Sequence, residues 1–195
     1  YTYTVAVRLD GAVSGYKGEI EIGGVGVAPN TDGTYTLVGT DGGGKAIVIG
    51  GTTVGTAYPG TTNVDYETLK VTVTGKTPKN VTLSGIGAPG LTDCSSGAAV
   101  LYSAQRLKTA DKGSYPIYVD GERTGFTASY GKTVNVPYHT IRLTLNLGGV
   151  SPSTVELRDA EGGALRMNGA GASYRLTRLQ SSTVYTVYAD GESTG

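Results

Sequence analysis

The chain has 195 residues, including 32 Gly, 14 Tyr, one Phe and no Trp, and its 16 Lys and Arg offset 16 Asp and Glu. A net charge of zero gives no electrostatic case for nucleic acid or an anionic membrane surface as a partner. One cysteine, Cys94, excludes an internal disulfide, and no apolar run approaches the roughly 20 residues that cross a bilayer as a helix.

The glycines are interleaved with runs of Val, Thr, Tyr and Ile, which favour pleated strands joined by tight turns. Tyr1 opens no signal-like segment, so a mature chain or an excised fragment is expected. Val5, Val7 and Leu9 alternate with polar or small residues, the period of two that marks a half-buried strand. Glu19-Ile-Glu-Ile22 and Tyr35-Thr-Leu37 follow, and then a hairpin in Ile47-Val-Ile-Gly-Gly-Thr-Thr-Val-Gly55. Leu69-Lys-Val-Thr-Val73 renews the first pattern and Asn80-Val-Thr-Leu83 the second. Residues 98–107 have fair helix propensity, but register with the rest of the chain favours a strand around 100–102. Tyr115-Pro-Ile-Tyr-Val119 is a hairpin arm. Its turn, Asp120-Gly121, suits a type I′ geometry because both central residues need positive φ. Residues 133–136 form a further strand. Ile141-Arg-Leu-Thr-Leu145, Thr154-Val-Glu-Leu157, Tyr174-Arg-Leu176 and an arm leading to a second turn, Asp190-Gly191, complete the series.

The series repeats. Tyr115-Pro-Ile-Tyr-Val-Asp-Gly-Glu-Arg-Thr-Gly125 matches Tyr185-Thr-Val-Tyr-Ala-Asp-Gly-Glu-Ser-Thr-Gly195, and Asn63-Val-Asp-Tyr-Glu-Thr-Leu-Lys-Val-Thr-Val73 matches Asn135-Val-Pro-Tyr-His-Thr-Ile-Arg-Leu-Thr-Leu145. The anchors keep one order, which predicts an all-β chain of three tandem small antiparallel β-sandwich units, 1–65, 66–137 and 138–195. No Gly/Ser-rich linker separates them, and Pro137 fixes φ at its junction, so a rod is expected. The third unit stops at the point where the second goes on to residues 126–137, so it lacks a final strand. Either the chain belongs to a longer array, or another subunit donates the strand.

The pattern Gly-x-Tyr-x-Val/Ile-Tyr-x-Asp-Gly near the end of a small β unit resembles tandem repeats of large bacterial, Gram-positive-type cell-surface proteins, which are similar to Ig-like, Cna-B-type and transthyretin-like sandwiches. The first unit departs from it, with Gly50 in place of the aspartate and Val48 in place of the second tyrosine. The resemblance implies an extracellular stalk or adhesive module at the cell surface. Its partners would be neighbouring repeats, other copies of the chain, or a host or cell-surface protein or glycan. A carbohydrate-binding module and a filament subunit completed by a donated strand are the alternatives. Some Cna-B-like domains carry a Lys–Asn isopeptide bond, for which Lys70 and Asn135 are the tempting pair. Alternation turns both side chains outward, away from the desolvated core that such a bond needs.

No catalytic, metal or cofactor site is expected. Gly39-Thr-Asp-Gly-Gly-Gly-Lys45 is followed by Ala46 and a strand rather than Ser/Thr and a helix, so it reads as a hairpin loop and not a phosphate loop. Gly85-Ile-Gly-Ala-Pro-Gly90 lacks the α/β surroundings of a dinucleotide site. His139, which aligns with Glu67, is expected as an exposed strand residue, and Cys94 as a loop thiol. Asp159-Ala-Glu-Gly-Gly163 and Asn30-Thr-Asp-Gly33 read as turns, not calcium loops. Asn80-Val-Thr82 is a glycosylation sequon. Of Tyr115, Tyr118, Tyr185 and Tyr188, one in each pair is expected on an exposed face, where it would be free to stack on a partner.

Overall fold

The computed structural model describes residues 1–14, 16 and 18–194, and among these it contains strands and no helix. Strands β1 (Thr2–Leu9), β2 (Ala12–Val13), β3 (Ile20–Ile22), β4 (Val25–Val27), β5 (Thr34–Val38), β6 (Lys45–Ile49) and β7 (Thr52–Ala57) lead into a long strand, β8 (Gly60–Thr74). Then β9 (Val81–Leu83), β10 (Thr92–Asp93), β11 (Val100–Leu107), β12 (Tyr115–Val119) and β13 (Glu122–Ala128) lead into a second long strand, β14 (Thr133–Thr144). The last are β15 (Val155–Arg158), β16 (Ala164–Arg166), β17 (Asn168–Ala170), β18 (Ser173–Leu179), β19 (Thr186–Ala189) and β20 (Glu192–Ser193).

One nine-stranded sheet runs through the chain, and three small antiparallel sheets accompany it: β4-β3-β6-β7, β13-β12-β9 and β16-β15-β19-β20. Two pairings are parallel, β1 with β8 and β8 with β14. Each long strand changes partners partway. Residues 60–66 of β8 lie beside β1, and residues 66–73 lie beside β11. Residues 133–137 of β14 lie beside β8, and residues 138–144 beside β18.

Burial follows the period-two pattern and collects in three clusters, each drawn from the large sheet and one small sheet, in the manner of two packed layers. The first joins Tyr3, Val5, Val7 and Val64 to Ile20, Ile22, Ile47 and Ala57. The second joins Leu69, Val71, Val73 and Val136 to Val81, Ile117, Val119 and Ala128. The third, with fewer fully buried members, joins Leu145 and Tyr174 to Val155 and Leu157.

Two local expectations change. Residues 39–45 are not a hairpin loop. They cross between layers, because β5 pairs with β1 while β6 pairs with β3 and β7. The helix-prone segment is a strand, β11, longer than the 100–102 expected. Pairing with β8 sets Tyr102 opposite Val71 and Ala104 opposite Leu69, and both are buried there, so tertiary contacts override propensity.

Candidate functional site

The chemistry-bearing residues gather where strands are shared or capped. Asp120 and Asp190 have φ of 52° and 49°, and Gly121 and Gly191 follow at 84° and 88°. Asp10 and Gly11, at 51° and 90°, make a third turn of this kind between β1 and β2, outside the repeated motif. The aspartates do more than turn. Asp120 Oδ1 accepts the amides of Lys79 and Asn80 at 2.7 and 3.0 Å, and its other oxygen meets Lys76 Nζ at 2.6 Å. Burial pushes the Asp120 carboxyl up, but Lys76 and the two amides outweigh it and hold the group below the ordinary carboxylate range. Asp190 Oδ1 likewise accepts the Thr154 amide at 2.8 Å and its hydroxyl at 3.3 Å. Each aspartate so pins the strand that opens its small sheet, β9 or β15. Gly50, in the first third, keeps the positive φ and has no carboxylate to do this.

The passage of β8 from one partner to the next is held by ions. Arg8 grips Asp65 through two bonds of 2.6 and 2.8 Å. The Asp10 amide donates to the Tyr66 carbonyl, and Asp10 Oδ1 accepts the Thr68 amide at 2.8 Å. Glu67 is only 3% exposed and takes Arg106 on one oxygen and Lys112 on the other. Desolvation raises its carboxyl, and the two cations more than reverse that. The expectation that His139, which aligns with Glu67, is an exposed strand residue therefore fails. Glu67 is an ion-pair hub, and His139 is half-buried with Nδ1 enclosed and unbonded among the described residues. Simple alternation missed this because Arg106 and Lys112 come from elsewhere in the chain to the point where β8 changes partners. At the second passage Gly75 (φ 77°) lies against the chain so closely that a Cβ there would sit 1.9 Å from the Tyr138 carbonyl oxygen. Lys76 lies over the Tyr138 ring, 4.9 Å from its centre.

The four tyrosines do not act as one surface. Tyr115 is buried and meets Tyr130 edge-on at 6.4 Å. Tyr118 is half-buried. Tyr185 packs on the third cluster beneath Arg178, and Tyr188 lies beneath Arg158 at 4.2 Å. Among the described residues the most exposed tyrosines are Tyr1 (65%) and Tyr58 (61%), outside the repeated motif. Their rings approach Gly42 and Gly44, which have no side chain to keep them off. The Asn135 carboxamide bonds to the hydroxyls of Thr72 and Thr74. Lys70 stands opposite Thr133, two residues along.

The remaining motifs are turns. Asp41 bonds Lys45 and the Gly43 amide, Ala88 donates to Gly85, and Asp159 Oδ1 accepts the amides of Glu161 and Gly163. Asp32 caps Thr34. Cys94 is exposed, with Sγ 3.1 Å from Ser103 Oγ. Among the described residues no three His, Cys, Asp or Glu side chains gather as a metal site would need, and no helix is long and apolar enough to cross a membrane.

One strand edge stands apart. Residues 138–144 of β14 pair with β18 on one side and with no described strand on the other. Beside that edge Ile141, Leu143 and Val187 are only partly buried. No protein-family model, curated protein or solved structure matches the chain.

Proposed function

We propose that the chain is a structural and adhesive module of an extracellular surface protein or filament, built as three tandem β-sandwich units (1–65, 66–137 and 138–195) in a rod. On this reading it is a stalk and interaction surface, not an enzyme. The observation that carries the reading is the pair of shared strands. β8 and β14 each close one core with their first half and open the next with their second, and no linker intervenes. A joint made of continuous strand resists bending, because a bend would break ladder hydrogen bonds on both sides. The ion pairs around Glu67 and the close approach at Gly75 support the same reading. Turn and strand chemistry, repeated in order, accounts for the residues that would otherwise suggest catalysis.

Solution X-ray scattering tests the rod. A compact globule of this length has a radius of gyration of about 16 Å, and the rod requires a value well above it. A value near 16 Å ends the proposal. Surface exposure is tested by antibody labelling of intact source cells, where staining only after lysis would count against it.

A second reading, a carbohydrate-binding module, rests on Tyr1 and Tyr58. Both rings are exposed beside a glycine loop, as a sugar-stacking platform would need. Glycan-array binding that is lost in Tyr58→Ala would favour it.

A further inference from the structure

We propose that the free edge of β14 is an acceptor site for a parallel β-strand, and that its occupant is a last strand of the kind formed by residues 60–66 and 133–137: an extended segment with aliphatic side chains at alternate positions. This rests on the tandem reading above, because it carries what fills one edge over to the equivalent edge.

Three stretches hold the same place in the chain: β1, residues 66–74 of β8 and residues 138–144 of β14. β1 lies between β5 and residues 60–66. The β8 stretch lies between β11 and residues 133–137. The β14 stretch has, among the described strands, β18 alone. In the two filled cases the added strand is parallel and the register agrees: Thr62 and Val64 stand opposite Val5 and Val7, and Val134 and Val136 opposite Val71 and Val73. The counterparts are Leu143, on β14, and Leu145, just past its end.

Side-chain burial reports what is missing there. Val64 and Val136 are 4% and 0% exposed, so the added strand drives an aliphatic residue between the layers. Where it is present, Leu69, Val71, Ile117 and Val119 are fully buried. Their counterparts Ile141, Leu143, Val187 and Ala189 are half-buried. An apolar strip beside unpaired amides and carbonyls is the geometry in which a sheet accepts a further strand.

The direction of the amides makes the prediction specific. The Lys70 amide donates across to the Lys132 carbonyl, so Lys70 and Thr72 turn their N–H groups toward the added strand. The matching residues are Arg142 and Thr144. The Leu145 amide turns the other way, to Ala172. The occupant must therefore reach the amides of Arg142 and Thr144. It places aliphatic side chains inward and, like the exposed Thr133 and Asn135, polar ones outward.

The deciding experiment appends a copy of residues 126–137 after Gly195 of the full chain and measures amide hydrogen exchange by NMR. Arg142 and Thr144 are expected to slow at least about tenfold, while the exchange of Ile141 and Leu143, whose amides face β18, changes less. The same copy carrying Val134→Asp and Val136→Asp should leave exchange as it was. A free peptide of residues 129–138, with a spin label at its N-terminus, reports direction: broadening near residues 138–141 is the parallel result. Unchanged exchange in the fusion overturns the inference. So does equal protection by the aspartate copy, or broadening near 146–149 instead. Scattering, which tests the rod, does not sense this edge, so the two proposals fail separately.

Discussion

Residues 66–137 and residues 138–194 carry the same pattern of turns and strands, yet they bury it to different depths. Leu69 and Ile141 occupy matching positions, as do Val71 and Leu143. In the middle region the first of each pair is fully enclosed, and in the last region the second is partly open. The side chains are equally apolar. What differs is the neighbour: the middle region has a strand on each side of β8, and in the last region residues 138–144 of β14 have a described strand on one side alone. Burial is thus a property of the pairing rather than of the residue. The joints differ as well, since Glu67 gathers two cations where His139 has an unbonded Nδ1.

The contrast can be broken in several ways, beginning with the largest effect. Leu69→Ala should destabilise the middle region by about 3 kcal/mol, the cost of a cavity in a closed core. Ile141→Ala should cost the last region only about 1 kcal/mol, because part of its surface already meets water. Site-resolved hydrogen exchange in each region measures both, and equal losses would erase the distinction. Gly75→Ala comes next, at about 2–3 kcal/mol, because the new methyl group meets the Tyr138 carbonyl and the backbone is left-handed. Gly125→Ala shares the positive φ but meets nothing within 4 Å, so about 1 kcal/mol is expected. The gap between the two variants, read by urea unfolding, measures how tightly β14 is seated on the middle region.

Asp120→Gly keeps the turn and removes the staple, as Gly50 does naturally. A loss of about 1–2 kcal/mol is expected, against about 0.5–1 kcal/mol for Asp190→Gly, whose carboxylate meets no lysine among the described residues. Acid should sharpen the same difference by a smaller amount. The folded-state Asp120 carboxyl sits below its ordinary value, so its contribution is complete above about pH 4 and is lost as pH falls through the lowered value. Glu67 adds in the same direction. The middle region of the parent protein should therefore lose stability below pH 4 more steeply than that of Asp120→Gly. Parallel curves for the two would remove Asp120 from the account.

Much of the strand order was legible because it is written in short-range chemistry. The alternation at Val5 and Val7, and at Val71 and Val73, survives as buried side chains, while Leu9 is only partly buried. Residues 98–107 were ambiguous because their own propensity points one way and the partner strand β8, some thirty residues earlier, points the other. The burial of Glu67 was hidden for a related reason. Its sequence neighbours say nothing of Arg106 or Lys112, which arrive from beyond β9 and β10. Tyr1 and Tyr58 escaped notice because they stand outside the repeated motif.

By itself, then, the sequence determined the all-β class, the positions of the Asp-Gly turns and the faces of most strands. These follow from sterics and from a period of two, and both act within a few residues. Only the tertiary structure decided that β8 and β14 change partners in mid-strand, that residues 39–45 cross between layers, and that one edge of β14 has no partner among the described strands. Those outcomes depend on hydrogen bonds and apolar contacts between residues far apart in the chain, where no local preference chooses the partner.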